Sequence, residues 1–170
     1  TDLDARRQLA YGTYSAGDEN TKLELLDVDT REKLPLEIHN KVRPVQWLPD
    51  GSGFVYWKLA DPHDFYTGRV MFHARPADPR AADDDSADLL VFRQYTKEED
   101  EKLATTWGPN GFLSYDGRWL LLSYHVDTRS NDLWLVDFEA FRRTGFLMRT
   151  EVSVGTPGTA FGSVMPGSGG

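Results

Sequence analysis

Serine, histidine and carboxylate side chains are the residues of this sequence that could perform hydrolytic chemistry. A serine nucleophile needs a strained turn, usually within Gly-x-Ser-x-Gly, together with a base and an orienting acid. No such motif occurs among the 170 residues. Ser52 lies in a predicted hairpin turn, Ser163 in a predicted strand and Ser168 in a glycine-rich tail. We therefore predict that this chain carries no catalytic residue.

The histidines and acidic residues do not form a metal-binding motif. The four histidines are His39, His63, His73 and His125. They lack the short spacings of zinc sites, which favours structural or surface roles. Residues 83–85 and Asp88 offer several oxygens to a hard cation, but the glycine and glutamate spacing of a calcium loop is missing. We interpret them as a solvated acidic loop and predict neither a metal nor a cofactor.

Charge and composition exclude several classes of partner. The chain has 19 basic and 27 acidic residues, a formal charge of −8, and no cysteine. Nucleic acid is not expected as the main partner, because phosphate neutralisation needs clustered lysine and arginine. No apolar run approaches the roughly 20 residues that span a bilayer, so no membrane partner is predicted. The chain starts at Thr1 without a signal-like segment, and we interpret it as a piece of a longer protein of unknown compartment, cytoplasmic or periplasmic.

The elements that would position any site are short β-strands. Strand-length apolar runs are bounded by glycine, proline, aspartate or asparagine. These runs are residues 53–57, 70–72, 89–92, 119–122 and 133–136. A continuous apolar run predicts a strand that is covered on both faces, whereas a one-sided sheet alternates polar and apolar residues. The sequence therefore predicts an all-β protein in which sheets are stacked between other sheets.

A repeat connects these strands. Residues 47–56 resemble residues 113–121, and in both segments an Asp-Gly pair separates a strand from a fully apolar strand. Residues 3–11 form a weaker third copy in which Ala5 replaces the glycine. Units of roughly 40–50 residues with four strands each are typical of β-propeller blades.

The repeat predicts one partial propeller domain over residues 1–170, with two complete and two partial blades of four antiparallel strands. The blades are expected at residues 1–38 (partial), 42–94, 109–154 and 159–170, the last beginning with a strand at 159–165. Residues 96–104 start with a capping box, Thr96 with Glu99, and are predicted to form a short surface helix. A second helical turn is predicted at 139–144, closed by Gly145. Residues 166–170 are predicted to be a flexible tail.

Aromatic and polar residues near the strands allow further interpretations. Four tryptophans, Trp47, Trp57, Trp119 and Trp134, occupy predicted strand positions. Packing between blades explains them better than a sugar or nucleobase site does. Asp127, Asn131 and Asp132 are interpreted as turn residues. Residues 114–119 do not match a sialidase box, which places glycine two residues after its aspartate.

The order of these segments resembles the N-terminal propeller domain of the prolyl oligopeptidase family. The similar segments are residues 9–12, 27–30 with 34–35, 45–56, 70–73, 86–92, 113–123 and 131–137. The resemblance implies a seven-bladed propeller that caps an α/β-hydrolase domain, whose serine, aspartate and histidine cleave peptides after proline. It further implies that the propeller restricts entry to short peptides. None of the triad-bearing segments matches this chain.

Two departures from the family pattern concern the pocket wall. Relatives often have an aromatic residue facing the active site just before the strand that ends in tryptophan. Here that stretch contains Lys41, Val42 and Arg43, so Val42 is expected to take the aromatic position and the three residues are candidates for the cavity wall. After His73, relatives have a short leucine-glycine-threonine turn, where this chain has a longer acidic loop from Pro76.

Three functions follow as hypotheses. The leading one is a non-catalytic propeller segment that gates and sizes short peptide substrates for a hydrolase domain absent from this chain. The alternative is a stand-alone propeller that binds a peptide or protein partner and closes by self-association, because blades bury their faces only against neighbouring blades. The third, a propeller glycosidase or sialidase, needs an arginine cluster or paired carboxylates around a funnel, and the sequence has no such pattern.

Overall fold

The computed structural model describes residues 7–165 and 167. Within these residues the chain forms three antiparallel sheets. The first contains β1 (Gln8–Thr13), β2 (Lys22–Asp27) and β3 (Lys33–Ile38). The second contains β4 (Arg43–Trp47), β5 (Gly53–Leu59), β6 (Gly68–Ala74) and β7 (Leu89–Arg93). The third contains β8 (Pro109–Leu113), β9 (Trp119–His125), β10 (Asn131–Asp137) and β11 (Arg149–Ser153).

Each sheet is a meander in which the strands pair in chain order. The second and third sheets therefore have four strands each, and the first has three. Sequential antiparallel strands of this kind are the blade architecture of propellers. The prediction of an all-β fold made of propeller blades, some complete and some partial, is confirmed.

The second sheet is covered on both faces, as its uninterrupted apolar strands predict. One face, with Phe54 and Tyr56 of β5, packs in a core with Leu25 and Ile38 of the first sheet. The opposite face packs in a separate core with the third sheet. This second core includes Val55, Trp57, Val70, Leu122 and Trp134. Because β5 alternates its side chains between two cores, both sets must be apolar, which explains the absence of a period-two pattern.

The two Asp-Gly hairpins form where the repeat predicts them. Gly51 and Gly117 have φ of 70° and 72°, a region in which an L side chain is strained. Each glycine N–H closes the turn, Gly51 on Leu48 O and Gly117 on Ser114 O, both at 2.9 Å. In the weaker third copy, residues 3–6, including the turn at Ala5, lie outside the described residues, and residues 8–11 belong to β1.

The structure corrects the helix predicted at residues 96–104. The capping box forms, because Thr96 N donates to Glu99 Oε2 at 2.8 Å, but the segment contains turns and a single 3-10 turn at Leu103–Thr105. The Asp100 side chain takes a backbone N–H that a helix would direct to the carbonyl of residue 99, because Leu103 N donates to Asp100 Oδ1 at 2.9 Å. The carbonyls at the end of the segment bind side chains, with Tyr124 Oη donating to Leu103 O at 2.8 Å and Gln94 Nε2 to Ala104 O at 3.1 Å.

The helical turn predicted at residues 139–144 is present as α1 (Phe138–Thr144). Asp137 caps it by accepting from Ala140 N at 3.0 Å. Gly145 closes it with φ of 71°. Among the described residues, no helix is long and apolar enough to cross a membrane.

The structure also corrects the strand predicted at residues 159–165. This segment is extended, but it pairs with no strand of the three sheets. Its backbone is held by a side chain, because Asn131 Oδ1 accepts from Ala160 N at 2.8 Å and Asn131 Nδ2 donates to Ala160 O at 2.9 Å. Asn131 is therefore not a turn residue as predicted, but a 5% exposed residue of β10. The predicted tail at 166–170, apart from Gly167, lies outside the described residues.

Candidate functional site

Three loops meet at one end of the second sheet. Its antiparallel order brings the start of β4, the end of β5, the start of β6 and the end of β7 to this end. The loops there are residues 39–42, 60–67 and 94–108. A cavity of about 500 Å³ lies between them. Its wall includes Arg43, Trp57, His63, Phe65, Tyr66 and Trp107.

Aromatic rings dominate this cavity, which we call the loop-end cavity. Phe65, Tyr66 and Trp107 are 57%, 50% and 71% exposed, so their rings are available to a ligand. The buried Trp57 contributes its ring from β5, where the Arg43 guanidinium stacks 4.2 Å from the ring centroid. Aromatic faces beside one guanidinium are suited to apolar and carbonyl or carboxylate groups of a ligand.

The backbone is strained in the loop just before Arg43, which lines this cavity. Asn40 and Lys41 are consecutive residues with positive φ, 77° and 56°. The neighbouring loops stabilise this conformation, because Lys41 N donates to Asn20 Oδ1 at 2.9 Å and Leu59 N donates to Asn40 O at 2.8 Å. Strain of this kind persists only where the surroundings over-determine it, and it occurs often at functional sites.

The three candidate wall residues separate in the structure. Arg43 lines the loop-end cavity, and Lys41 Nζ lies 3.9 Å from the centroid of Phe65, which also lines it. Val42 is 4% exposed and packs in the core between the first and second sheets. The side chains of Lys41 and Arg43 thus lie beside the cavity, while that of Val42 packs in the core.

Sequence reasoning missed most of the loop-end cavity. Phe65, Tyr66 and Trp107 lie outside the apolar strand runs, in loops bounded by aspartate, proline or glycine. Large aromatic residues in loops were the available signal, since packing between blades explains only those on strands. Trp57 and Trp134 are buried between sheets, as predicted for strand tryptophans.

A second polar cluster lies inside the fold, around His73 of β6. The ring of His73, 1% exposed, is placed between two carboxylates, with Nδ1 2.6 Å from Asp88 Oδ1 and Nε2 3.0 Å from Asp83 Oδ2. Asp83 also pairs with Arg75, and Tyr56 Oη donates to Asp88 Oδ2 at 2.6 Å. We call these five residues the His73 network.

The His73 network corrects the interpretation of residues 83–88 as a solvated loop. The side chains of Asp83 and Asp88 are only 9% and 3% exposed. Asp85 is partly buried and accepts from Lys58 Nζ at 2.7 Å. The loop folds back because β5 and β6 place histidine, tyrosine, lysine and arginine partners beneath it. The sequence signal for this pairing was the combination of acidic residues in the loop with basic residues on or next to β5 and β6.

The electrostatics of the network follow from burial and charge. Burial alone disfavours the charged imidazole, but hydrogen bonds and charges of Asp88 and Asp83 outweigh it and raise the pKa of His73. Burial, followed by the Asp88 carboxylate, raises the pKa of Tyr56 far above its usual range. An imidazolium donates from both nitrogens and so satisfies both carboxylates. Because the His73 ring is buried between the two carboxylates, this arrangement holds the loop against β5 and β6.

Within the described part of the chain, the other histidines and serines discussed for the sequence lie in separate surroundings. His39 lies 2.8 Å from Glu37 on the surface, and His63 lines the loop-end cavity. Ser52 Oγ donates to Asp50 Oδ1 within the hairpin turn. Ser163 lies in the extended segment rather than a strand, and Ser168 is outside the described residues. Across residues 7–165, no three histidine or acidic side chains are arranged to hold a metal ion.

Comparison with solved structures shows the same fold in larger proteins. Prolyl oligopeptidase B from Galerina marginata, in its apo form, superposes with a TM-score of 0.60 and 18% identity, over 85% of this chain and 20% of that chain. The same protein bound to a 25mer macrocyclization substrate superposes with a TM-score of 0.64 and 18% identity, over 88% of this chain and 22% of that chain. A structure reported for two prolyl endopeptidases and their inter-domain dynamics superposes with a TM-score of 0.59 and 21% identity, over 75% of this chain and 18% of that chain. The chain thus spans about a fifth of their length.

Comparison of sequences identifies the family. No curated protein matches the chain significantly. The family of the prolyl oligopeptidase N-terminal β-propeller domain matches residues 4–152, which include all eleven described strands except the last residue of β11. This chain belongs to the prolyl oligopeptidase N-terminal β-propeller family.

Proposed function

We propose that this chain is a non-catalytic propeller segment that gates and sizes short peptides for a hydrolase domain not contained in its 170 residues. Family membership supports the propeller role. The observation that carries the gating role is the loop-end cavity, where exposed aromatic rings and one stacked guanidinium lie together. The role proposed for this end is binding, because the cavity lining combines aromatic rings and threonine hydroxyls with Arg43, His63 and Asp64 and contains no serine.

The loop-end cavity suits a short peptide. Proline and apolar side chains pack on the faces of Tyr66 and Trp107, as extended peptides do in aromatic grooves. The Arg43 guanidinium, held by the Trp57 ring, is oriented to donate to a peptide carbonyl or terminal carboxylate. Lys41, over Phe65, adds a second cation beside the entrance. In this arrangement Lys41 and Arg43 form part of the wall that a peptide passes.

Peptides of graded length test this proposal. Each peptide carries one proline, and binding is followed by tryptophan fluorescence, because Trp57 and Trp107 line the cavity. We expect short peptides to bind, and Arg43→Ala and Trp107→Ala to weaken binding about tenfold, the loss of about 1.4 kcal/mol. Arg118→Ala is the matched control, since Arg118 also stacks on a tryptophan, 5.1 Å from Trp119, but at the opposite end of the sheets.

The outcomes are separable. Binding that is unchanged in Arg43→Ala, or equally weakened in Arg118→Ala, would contradict a role of the loop-end cavity. The sizing role is tested by joining the chain to a hydrolase domain of its family and measuring kcat/KM for short and long peptides. Arg43→Ala is expected to change the ratio between them, and an unchanged ratio would refute gating.

A stand-alone, self-associating propeller is the second candidate, and exposed apolar side chains favour it. Phe146 and Met148 follow α1, Val152 lies on the edge strand β11, and Phe161 lies in the extended segment. All four are exposed, by 57% to 90%, and self-association would bury them. Light scattering at increasing concentration tests this candidate. A monomer at all concentrations would exclude self-association, whereas a defined oligomer lost in Phe146→Ser would support it.

A further inference from the structure

Three cationic side chains lie next to one another across the second sheet, near the end that carries the loop-end cavity. Lys58 of β5 is the cross-strand partner of Arg69 of β6, and Arg69 is in turn the partner of Arg93 of β7. Residues that oppose each other on antiparallel strands project from the same face of the sheet. Like charges in these positions repel each other, so this set of three residues, which we call the cation row, needs anionic partners.

The two outer members of the cation row have acidic partners. Lys58 Nζ lies 2.7 Å from Asp85 Oδ2. The Arg93 guanidinium binds Glu99 in a bidentate pair, Nη1 to Oε2 and Nη2 to Oε1, both at 2.8 Å. Arg69, the central member, forms no ion pair within the described part of the chain. The central charge is therefore the one that a ligand can neutralise.

Arg69 lies in the wall of a second cavity, which has a volume of about 700 Å³ and which we call the side cavity. The exposed Lys97 adds a second cation to its wall. Two acidic residues, Asp64 and Glu98, also line it, but neither pairs with Arg69, and Asp64 Oδ1 already accepts from Tyr66 N at 2.9 Å. Arg69 is thus a partly buried guanidinium beside open space, without an acidic partner of its own.

The side cavity adjoins the loop-end cavity. Asp64, Tyr66 and Thr105 line both of them. A ligand that packs on the Tyr66 ring in the loop-end cavity can therefore extend past this ring into the side cavity. The first cavity is mainly aromatic, whereas the wall of the second contains Arg69 and Lys97. The pair is suited to one ligand that has an apolar part and an anionic part.

We propose that Arg69 binds a carboxylate of a peptide whose proline or apolar residue packs in the loop-end cavity. This inference rests on the proposed function, because that function supplies the peptide. It adds a substrate class, namely short peptides with an acidic side chain or a free carboxy terminus close to the apolar residue. A guanidinium donates two parallel N–H bonds to a carboxylate, and a bound carboxylate also offsets the repulsion within the cation row.

Three short peptides that differ in one carboxylate test the proposal. All contain one proline. The first carries a glutamate, placed in turn before and after the proline, and has an amidated carboxy terminus. The second has glutamine in place of the glutamate, and the third is the glutamine peptide with a free carboxy terminus.

Binding of these peptides to the 170-residue chain is followed by tryptophan fluorescence, because Trp57 and Trp107 line the adjoining cavity. We expect a peptide with a carboxylate to bind about tenfold more tightly than the amidated glutamine peptide. Preference for the glutamate peptide would identify a side-chain carboxylate as the ligand, and preference for the third peptide would identify the terminal carboxylate.

Variants within the cation row assign this preference to one residue. Arg69→Gln is expected to abolish it, so that all three peptides bind equally. Lys58→Gln is the matched control and is expected to keep it, since Lys58 belongs to the same row but is paired with Asp85 and lies outside the wall of the side cavity. Because Arg69 lies between two cations, Arg69→Gln should not lower the urea unfolding midpoint, which separates a binding role from a structural one.

Reversal of the charge provides a measurement that loss of packing cannot imitate. In Arg69→Glu, a peptide with lysine in place of the glutamate should bind more tightly than the amidated glutamine peptide. In the unchanged chain the same lysine peptide should bind more weakly than the glutamine peptide. Absence of this reversal would contradict direct contact between Arg69 and the charged group of the peptide.

The failure of this proposal is distinguishable from failure of the proposed function. Equal binding of all three peptides to the unchanged chain would overturn the role of Arg69 and leave the role of the loop-end cavity intact. A preference that persists in Arg69→Gln, or is lost equally in Lys58→Gln, would have the same meaning. No binding of any peptide at millimolar concentration would overturn both.

Discussion

Asn131 binds Ala160 through both ends of its carboxamide, accepting from Ala160 N at 2.8 Å and donating to Ala160 O at 2.9 Å. The same Nδ2 donates to Ser123 Oγ of β9 at 2.8 Å. A side chain here replaces the two hydrogen bonds that a neighbouring strand would supply. This places residues 160–162 against the third sheet near Asn131 and Leu121, on the face opposite to its core with the second.

Removal of this clamp is expected to release the extended segment. Asn131→Ala leaves the Ala160 backbone without its partner and should lower the free energy of unfolding by about 1–3 kcal/mol. Hydrogen exchange at Ala160 and proteolysis between residues 154 and 165 should both become faster. Asn110→Ala is the control, because its carboxamide bonds to Gly111 N next to it. Equal effects of the two variants would show that the segment is held by other contacts.

Two acidic residues of one loop are expected to differ in their contribution to stability, because only one of them belongs to the His73 network. Asp88→Asn weakens the acceptor of both His73 and Tyr56 and leaves buried charge unpaired, at a cost of about 3–5 kcal/mol. Asp84→Asn, in the same loop, changes an exposed side chain that caps the turn at Ser86, and should cost less than about 0.5 kcal/mol. Urea unfolding checks both, and similar costs would show that the loop is solvated after all.

The raised pKa of His73 predicts a direction of pH dependence. The groups around its ring are Asp83, Asp88, Arg75 and Tyr56, and the two carboxylates favour the imidazolium in the folded chain. This contribution is complete below the ordinary pKa of 6.5 and is lost as the pH rises through the raised value. Unfolding free energy should therefore fall as the pH rises above about 6.5.

His73→Gln identifies the source of that pH dependence. The variant is less stable at low pH, but its unfolding free energy should vary less over the same range, because the titrating ring is gone. A decline of the same size in His73→Gln would assign the pH dependence to other groups.

The two hairpin glycines share a conformation but differ in space. A Cβ on Gly51 would meet nothing within 4 Å, whereas a Cβ on Gly117 would lie 2.8 Å from Pro49 Cδ and 2.9 Å from Leu48 Cδ2. Gly51→Ala should cost about 1–2 kcal/mol from positive φ alone. Gly117→Ala should lower the free energy of unfolding by about 1–3 kcal/mol more than Gly51→Ala does, because the two blades must separate to admit the methyl group. Thermal unfolding ranks the pair, and equal costs would mean that this contact is easily relieved.

The local features of this fold could be predicted from the sequence. Continuous apolar runs around Phe54 and Leu121 indicated strands buried on both faces, and Asp-Gly pairs with positive φ located the hairpins. Gly145 marked the end of the helical turn predicted at 139–144, because a C-cap depends only on nearby backbone. These features follow from residue types within a few positions of each other, and so the sequence by itself determined the blades and the family.

Contacts between distant residues were decided by the tertiary structure. The acidic loop became buried because β5 and β6 carry its partners, and the end of residues 96–104 is held by Tyr124 of β9, which donates to Leu103 O. Phe65, Tyr66 and Trp107 form a cavity only because antiparallel strands bring three loops to one end. Propensity acts along the chain, whereas a buried charge or an aromatic cavity depends on which strands become neighbours, and that is settled only when the sheets pack.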